Sequence, residues 1–347
     1  MRCCAIVNPA AGSGRVRSLW PKARARLRAG GMAVDERWTR SEGHAADLAQ
    51  DAAEQGYSHV LAVGGDGTLQ EVVTGLVRAR GASVGPAAGS APLGPTVAWL
   101  PLGTGNDLAR SLGLPVRPAT AVAAVTRAVA RGDAVAIDAG LINRERIFLN
   151  VAGVGFDAQV ALLVSRMRWK VRGAAPYVAA ALRTLFSYAP QELTLTVDGR
   201  TERMKSLLTA CGNGAFYGGG ICICPGARLD DGLFSLCLVR DMSRWKVPYA
   251  LTLAFGGRHR FLREVTECSA SRVHIDGPPG VLVHADGQVV CRLPVEFSII
   301  PRAVRIVAPG HQGIRGETEE GASDDPPRTL DVEGGSGAFR EPRGVTH

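Results

Sequence analysis

Over the first 138 or so positions, short apolar runs alternate with longer mixed stretches. "CCAIVNP", "VDERWT", "HVLAVGG" and "TVAWLPLG" read as strands. Between them the pattern turns helical, in the basic stretch Val16 to Ala29, in "GHAADLAQDAAEQG" and in "TLQEVVTGLVRAR"; further helices are expected from Asn106 and Ala119. Strands alternating with helices predict a parallel sheet with helices on its faces. The Gly/Pro/Ala/Ser run from Gly81 to Pro95 reads as a surface loop within this unit.

From about Ile137 the texture changes. "IDAGLINRERIFLNVAGVGFDAQV" holds two strand-like runs joined by a polar turn at Asn143 to Glu145, and a helical stretch is expected from Val160 to Tyr188. "ELTLTVDGRTERMKSLLTACGNG" alternates and turns at Asp198-Gly199 like a hairpin. More strand-like runs continue to Ala308, with one helical interruption around Trp245 to Phe255. This half reads as a mainly antiparallel β-sandwich. From Gly310 the chain is polar and Gly/Pro-rich, too poor in apolar residues to build a core, and is expected to be disordered. The expected organisation is an α/β domain over 1–137, a β-sandwich domain over 138–309 whose last strand returns to the first domain, and a tail over 310–347.

Composition narrows the class. With 46% hydrophobic and 21% charged residues, the 347-residue chain has the balance of a soluble globular protein. It has no apolar run of the roughly 18–20 residues that a membrane span needs, and no leading apolar core of the secretory kind. A net charge of +8 favours anionic partners without choosing among nucleotide, membrane surface and nucleic acid. Eight cysteines without a CxxC pair read as reduced thiols of a cytosolic protein.

Three glycine-rich turns close successive predicted strands: "NPAAGSGR" (Asn8 to Arg15), "GGDGT" (Gly64 to Thr68) and "PLGTGNDLAR" (Pro101 to Arg110). In an open α/β sheet, ligands collect outside the carboxyl ends of the strands, so the three turns should converge on one cleft. Each leads into a helix whose first N–H groups favour phosphate oxygens. Gly64, Gly65 and Gly67 let the backbone approach closely, Thr68 and Thr104 offer hydroxyls, and Asp66 and Asp107 offer hard oxygens suited to magnesium. One such turn alone would be an ordinary strand–helix corner; three at corresponding places argue for a polyphosphate site. A P-loop is excluded, because GxxxxGK[ST] is absent, and "GSGR" is only a fragment of a dinucleotide fingerprint.

These motifs, with Thr39 and "GHA" at Gly43 to Ala45, "VGGDGTLQEVVTGL" and "PGARLDDGLFSL", resemble the diacylglycerol kinase catalytic domain in its bacterial lipid-kinase form, to which sphingosine kinases are related. The resemblance runs from about Arg2 to Pro309. GGDGT alone is shared with NAD kinases and the phosphofructokinase clan; its combination with NPxxGxGR and GTGNDLAR is specific. The resemblance implies a kinase with a nucleotide-binding α/β domain, a β-sandwich domain and lipid access between them. It places ATP at Asn8, Pro9, Gly12, Ser13, Gly14, Thr39, Gly64, Gly65, Asp66, Gly67, Thr68, Leu69, Gln70, Thr104, Asn106 and Asp107, with the nucleotide magnesium near Asp66 and Asp107. It also implies a structural magnesium held by the Asp231 carboxylate and the main-chain oxygens of Arg228 and Leu233. Read from the residues alone, "LDDGL" between strands is a plain β-turn, a reading compatible with a cation that fixes it.

The family ends its active site with Asp-Gly-Glu on a late strand. Here "VHADGQ" supplies Asp286 and Gly287, but Gln288 stands where glutamate is expected. Asp286 is the expected base and Gln288 a hydrogen-bonding substitute. Two basic runs, "RMRWKVRG" (Arg166 to Gly173) and "RHRFLR" (Arg258 to Arg263), read either as solvated faces or as contacts with anionic lipid. The expectation is an ATP- and Mg-dependent kinase of diacylglycerol or a similar lipid alcohol, cytoplasmic and peripheral to the inner face of the membrane. No nucleic-acid module is recognised, and a homodimer is left open. An ATP-binding regulatory copy with little turnover and a kinase of a soluble substrate are the alternatives.

Overall fold

The computed structural model describes residues 2–81, 93–167 and 173–310. Most of the Gly81–Pro95 run, the centre of the Arg166–Gly173 basic cluster and the tail after Gly310 lie outside the described residues. The first part contains β1 (Cys3–Val7), α1 (Val16–Ala29), β2 (Val34–Trp38), α2 (His44–Glu54), β3 (His59–Gly64), α3 (Asp66–Ala79), β4 (Thr96–Pro101), α4 (Asp107–Ser111) and α5 (Pro118–Arg131). Strands β4, β3, β1 and β2 lie side by side in that order, all parallel. Every residue of β1 is buried, as expected of a strand covered on both faces. Because β1 has β2 on one side and β3 on the other, the winding direction reverses between β1 and β3, and the carboxyl ends there form a crevice.

The second part contains β5 (Ala134–Ile142), β6 (Arg146–Phe148), β7 (Val151–Gly155), α6 (Phe156–Arg166), α7 (Ala175–Thr184), β8 (Gln191–Val197), β9 (Arg200–Gly212), β10 (Phe216–Tyr217), β11 (Ile221–Cys222), β12 (Phe234–Arg240), α8 (Val247–Ala254), β13 (Val265–Ala270), β14 (Arg272–Asp276), β15 (Leu282–Ala285), β16 (Gln288–Arg292) and β17 (Val295–Val307). The pairings within this half are antiparallel, including the hairpin of β8 and β9 across Asp198-Gly199. Two details differ from the expectation. The strand-like reading to Val160 gives way at Gly155, whose φ of 105° ends β7 and lets α6 begin at Phe156. The single helical stretch to Tyr188 is two helices, α6 and α7.

Strand β17 joins the halves. Its first residues pair with β14, and its last run beside β4, with Ile306 opposite Val97. Strand β5 follows it along most of its length. The register breaks between Ile300 and Val304, where Arg302 adopts φ 48°. There the Arg302 N–H donates to Asp138 Oδ1 at 2.7 Å, so a carboxylate on β5 holds the strand where it changes partners. One apolar core fills the parallel half, around Trp20, Trp99 and Leu61; a second lies between the antiparallel strands, around Phe148, Phe234 and Phe297.

Candidate active site

The glycine turns meet at the carboxyl edge of the parallel strands. Asn8, just past β1, donates its main-chain N–H to Val63 O at 3.0 Å and its Nδ2 to Thr68 Oγ1 at 2.9 Å, tying the first turn to the second. Gly12, Ser13 and Gly14 all have positive φ, so the loop after Asn8 and Pro9 curls back over its own backbone. Thr39, at the end of β2, is buried and donates its N–H to Val7 O. The second and third turns touch through Gly65 and Gly103: a Cβ on Gly103 would lie 2.4 Å from Gly65 Cα. A side chain at Gly103 would strike backbone, and one at Gly65 would press on Gly103 Cα at 3.1 Å. Asn106, in the left-handed region, fixes the third turn by accepting from Gly103 N–H at 3.1 Å and donating to Pro101 O.

Two carboxylates face each other inside this frame. A Cβ on Gly105 would lie 3.3 Å from Asp66 Oδ2 and 3.4 Å from Asp107 Oδ2, so both oxygens border one small space. Burial raises the pKa of Asp66, against the pull of main-chain amides, chiefly that of Leu108, which donates at 3.2 Å. Burial and the neighbouring Asp66 charge push Asp107 up to about 6, although Arg110 Nη1 bonds its Oδ1 at 2.9 Å. Two acids that resist ionising together, under a backbone cradle free of side chains, fit a magnesium–polyphosphate pair: such a cation takes one or two carboxylates and completes its shell with phosphate and water. Among the described residues no group of three or more His, Cys, Asp and Glu side chains could hold a metal by itself.

The antiparallel half closes the site. Asp286 (φ 48°) follows β15, and its carboxylate accepts from the N–H groups of Leu149, Asn150 and Val151 at 2.9, 2.9 and 3.3 Å. Burial raises its pKa to about 6, and the nearby Asp66 charge adds to the rise. A fourth glycine turn comes from the hairpin of β10 and β11: Gly218, Gly219 and Gly220 all have positive φ, and Gly219 N–H donates to Asp107 Oδ2 at 2.9 Å. "YGGGI" was a visible signal for it, overlooked among strand-like runs. Tyr177, from α7, lies close enough to Asp107 and Asp66 that their charges add to the burial that pushes its hydroxyl up to about 12.

Other expected residues sit differently. Gln288 is exposed and accepts from Arg146 at 2.7 Å. Leu69 is wholly buried in the core, and Gln70 Nε2 donates to Ile147 O at 2.8 Å, linking α3 to β6. Thr104 is exposed at the lip of the third turn. The Arg228–Leu233 turn is tethered by Asp138, whose Oδ2 accepts from Gly232 N–H at 2.7 Å, while Asp231 Oδ1 accepts from Leu233 N–H at 3.1 Å. Asp138 was overlooked; a lone carboxylate inside the apolar strand "IDAGLI" was its only mark.

Gly287, next to Asp286, lines an apolar cavity. Val160, Leu207, Ile223, Val239, Met242 and Leu251 supply much of its wall, and Tyr177 and Gly287 stand where it meets the acidic cluster. No helix among the described residues is long and apolar enough to cross a membrane.

The model of the diacylglycerol kinase catalytic domain matches residues 2–142, and that of the YegS C-terminal NAD kinase beta sandwich-like domain matches residues 150–308. A Mycobacterium tuberculosis protein named "Diacylglycerol kinase" is 35% identical over 312 residues, covering 88% of this chain and 95% of its own. A Pseudomonas aeruginosa protein named "Probable lipid kinase YegS-like" is 33% identical over 287 residues, covering 81% and 87%. The crystal structure of a diacylglycerol kinase from Bacillus anthracis str. Sterne shares the fold, with a TM-score of 0.66 at 22% identity, over 88% of this chain and 96% of that one. With both halves matched and relatives alike across nearly their whole length, the chain belongs to the family of diacylglycerol kinases and YegS-type lipid kinases.

Proposed function

We propose that the protein uses ATP and magnesium to phosphorylate the hydroxyl of diacylglycerol or a similar lipid alcohol. The observation that carries this reading is that Asp286, whose carboxylate lies near enough to Asp66 to feel its charge, is followed directly by Gly287 in the wall of the apolar cavity. In this reading residues 1–137 hold the nucleotide and 138–309 the acceptor. When bound, ATP supplies the γ-phosphoryl group and magnesium offsets its charge. The glycine turns seat the phosphates by main-chain N–H groups, and Asp66 and Asp107 hold the cation. The cavity orients the lipid chain and excludes water, leaving the hydroxyl beside Asp286. Three amides fix that carboxylate, and a pKa near 6 leaves it largely ionised at neutral pH, ready to take the hydroxyl proton.

Gln288 gives little support to a copy without turnover. It points to Arg146 at the surface, and the bonds that hold Asp286 do not involve it. An encounter with an anionic membrane fits the segment 244–263. Trp245 and Phe261 are 77% and 81% exposed there, with Arg244, Lys246, Arg258, Arg260 and Arg263 close by in the chain. Val247, Ala250, Leu251 and Ala254 of α8, in the same segment, line the cavity, so lipid could enter from the bilayer without crossing water.

Incubation with γ-labelled ATP and magnesium, offered either a lipid extract or NAD, tests the reading. Label is expected in lipid that extracts into organic solvent. Label in NAD, or in neither, contradicts it.

A further inference from the structure

Carboxylates and main-chain amides carry the transfer at Asp286, and one further polar side chain stands at the same junction. Tyr177 lies in the first turn of α7, directly after Pro176, and lines the apolar cavity together with Gly287. Proline in a first turn presets the backbone, so the phenol leaves a stiffened stretch of chain. Two glycine turns meet it. A Cβ on Gly218 would lie 3.4 Å from Tyr177 Cγ, so that turn packs against the ring. The next residue, Gly219, bonds Asp107 Oδ2 through its N–H. A Cβ on Gly287 would lie 3.3 Å from the Tyr177 hydroxyl oxygen, and Gly287 follows Asp286. The phenol thus joins the turn that holds Asp107 to the turn that carries Asp286.

An apolar wall does not require that oxygen. Val, Leu, Ile and Met make up much of the lining, and a phenylalanine would fill the same space. The hydroxyl adds a donor at the end of the ring. Burial, with the charges of Asp107 and Asp66, pushes the phenol up to about 12, so it keeps its proton throughout the neutral range. It can donate to an anion, but it cannot replace Asp286 as base. The group that has to pass between the acid pair and Asp286 is an anion, the phosphoryl in transit, whose charge spreads over its equatorial oxygens.

We propose that the Tyr177 hydroxyl donates a hydrogen bond to an oxygen of the phosphoryl group during transfer, as a catalytic side chain in addition to Asp286. This rests on the lipid-kinase reading and adds a residue to its chemistry. The bond from the acceptor oxygen to phosphorus forms as the bond from phosphorus to ADP breaks; the acceptor's proton goes to Asp286, and Tyr177 keeps its own. A donor aimed at charge that develops in the transition state acts on kcat rather than on ground-state binding.

Steady-state kinetics of Tyr177→Phe, with diacylglycerol dispersed in detergent, test this role. The value of kcat is expected to fall roughly ten- to a hundredfold, the worth of one donor to a charged oxygen, with KM for lipid and for ATP within about twofold of wild type. ATP-dependent thermal stabilisation should persist, which separates the loss from damage to the fold. A fluorinated tyrosine placed at 177 keeps the shape and lowers the phenol pKa, and should bring an alkaline limb of kcat into the measurable range. An undiminished kcat in Tyr177→Phe overturns the proposal, as does a loss confined to lipid KM, the mark of a plain wall residue. If that variant does not fold, the fluorinated protein decides, and a kcat without an alkaline limb overturns the proposal. With the wild type active on lipid, these results remove only the role of Tyr177, whereas a wild type that phosphorylates no lipid removes the kinase reading beneath it as well.

Discussion

Along β1, β3 and β4 the surface facing the cleft is largely backbone, whereas the wall supplied by α6, α8, β9, β12 and β15 is largely side chain. The first wall is shaped by glycines, with Gly65 and Gly103 in near contact. The second is a lining of Val, Leu, Ile and Met around one buried His–Asp pair. Phosphate oxygens are alike in every nucleotide, and main-chain N–H groups meet them without further tuning. Acceptors differ in chain and headgroup, and only side chains can be exchanged to follow them. The account therefore expects changes on the backbone wall to abolish function and changes on the side-chain wall to redirect it.

Gly103→Ala should have the largest effect of the changes that probe this contrast. Its methyl would strike Gly65 Cα and Asn106 Oδ1, displacing the second and third turns together. Activity should fall by about 10² or more, the cost of a misplaced site, with ATP-dependent stabilisation lost. Ala250→Trp, filling the cavity from α8, should act on the lipid alone, raising its KM roughly tenfold with KM for ATP unchanged. An equal rise for both substrates would dissolve the distinction between the walls.

The same contrast explains what the sequence could reveal. Backbone sites are local: "GGDGT" records in five consecutive residues that a strand ends, a turn tightens and a helix starts. The parallel half and its convergent turns were legible for that reason. Asp286 was found only through resemblance, since "ADGQ" alone is an ordinary hairpin turn. The cavity was not legible at all. Val160, Leu207, Met242 and His284 come from distant elements, and each looks like core or turn until the antiparallel strands bring them together. Gly219 illustrates the middle case, since its glycines were plain but their target, Asp107, lies 112 residues away in the other half.

Smaller effects sharpen the comparison. Trp245→Ser and Phe261→Ser should weaken binding to anionic vesicles several-fold at low salt, while leaving the phosphorylation of detergent-dispersed lipid nearly intact. Binding as tight as wild type would detach segment 244–263 from the membrane. The acidic cluster predicts a pH effect of known sign. Asp66, Asp107 and Asp286 all have folded-state pKa values raised above the ordinary carboxylate range, the latter two to about 6. The folded state therefore holds these protons more tightly than the unfolded chain, and the associated stability is lost as pH rises through about 6. With chelator present, the protein should melt at a higher temperature near pH 5.5 than near pH 7.5, and Asp286→Asn should flatten that slope. An unchanged slope in the variant would place the titration elsewhere.

The most direct test of the central claim, that nucleotide and lipid meet at Asp286, is label transfer from γ-labelled ATP to lipid by Asp286→Asn. The account predicts transfer lowered by ~10²–10⁴, the range for loss of a general base, with ATP-dependent thermal stabilisation preserved. Transfer at the wild-type rate would contradict it.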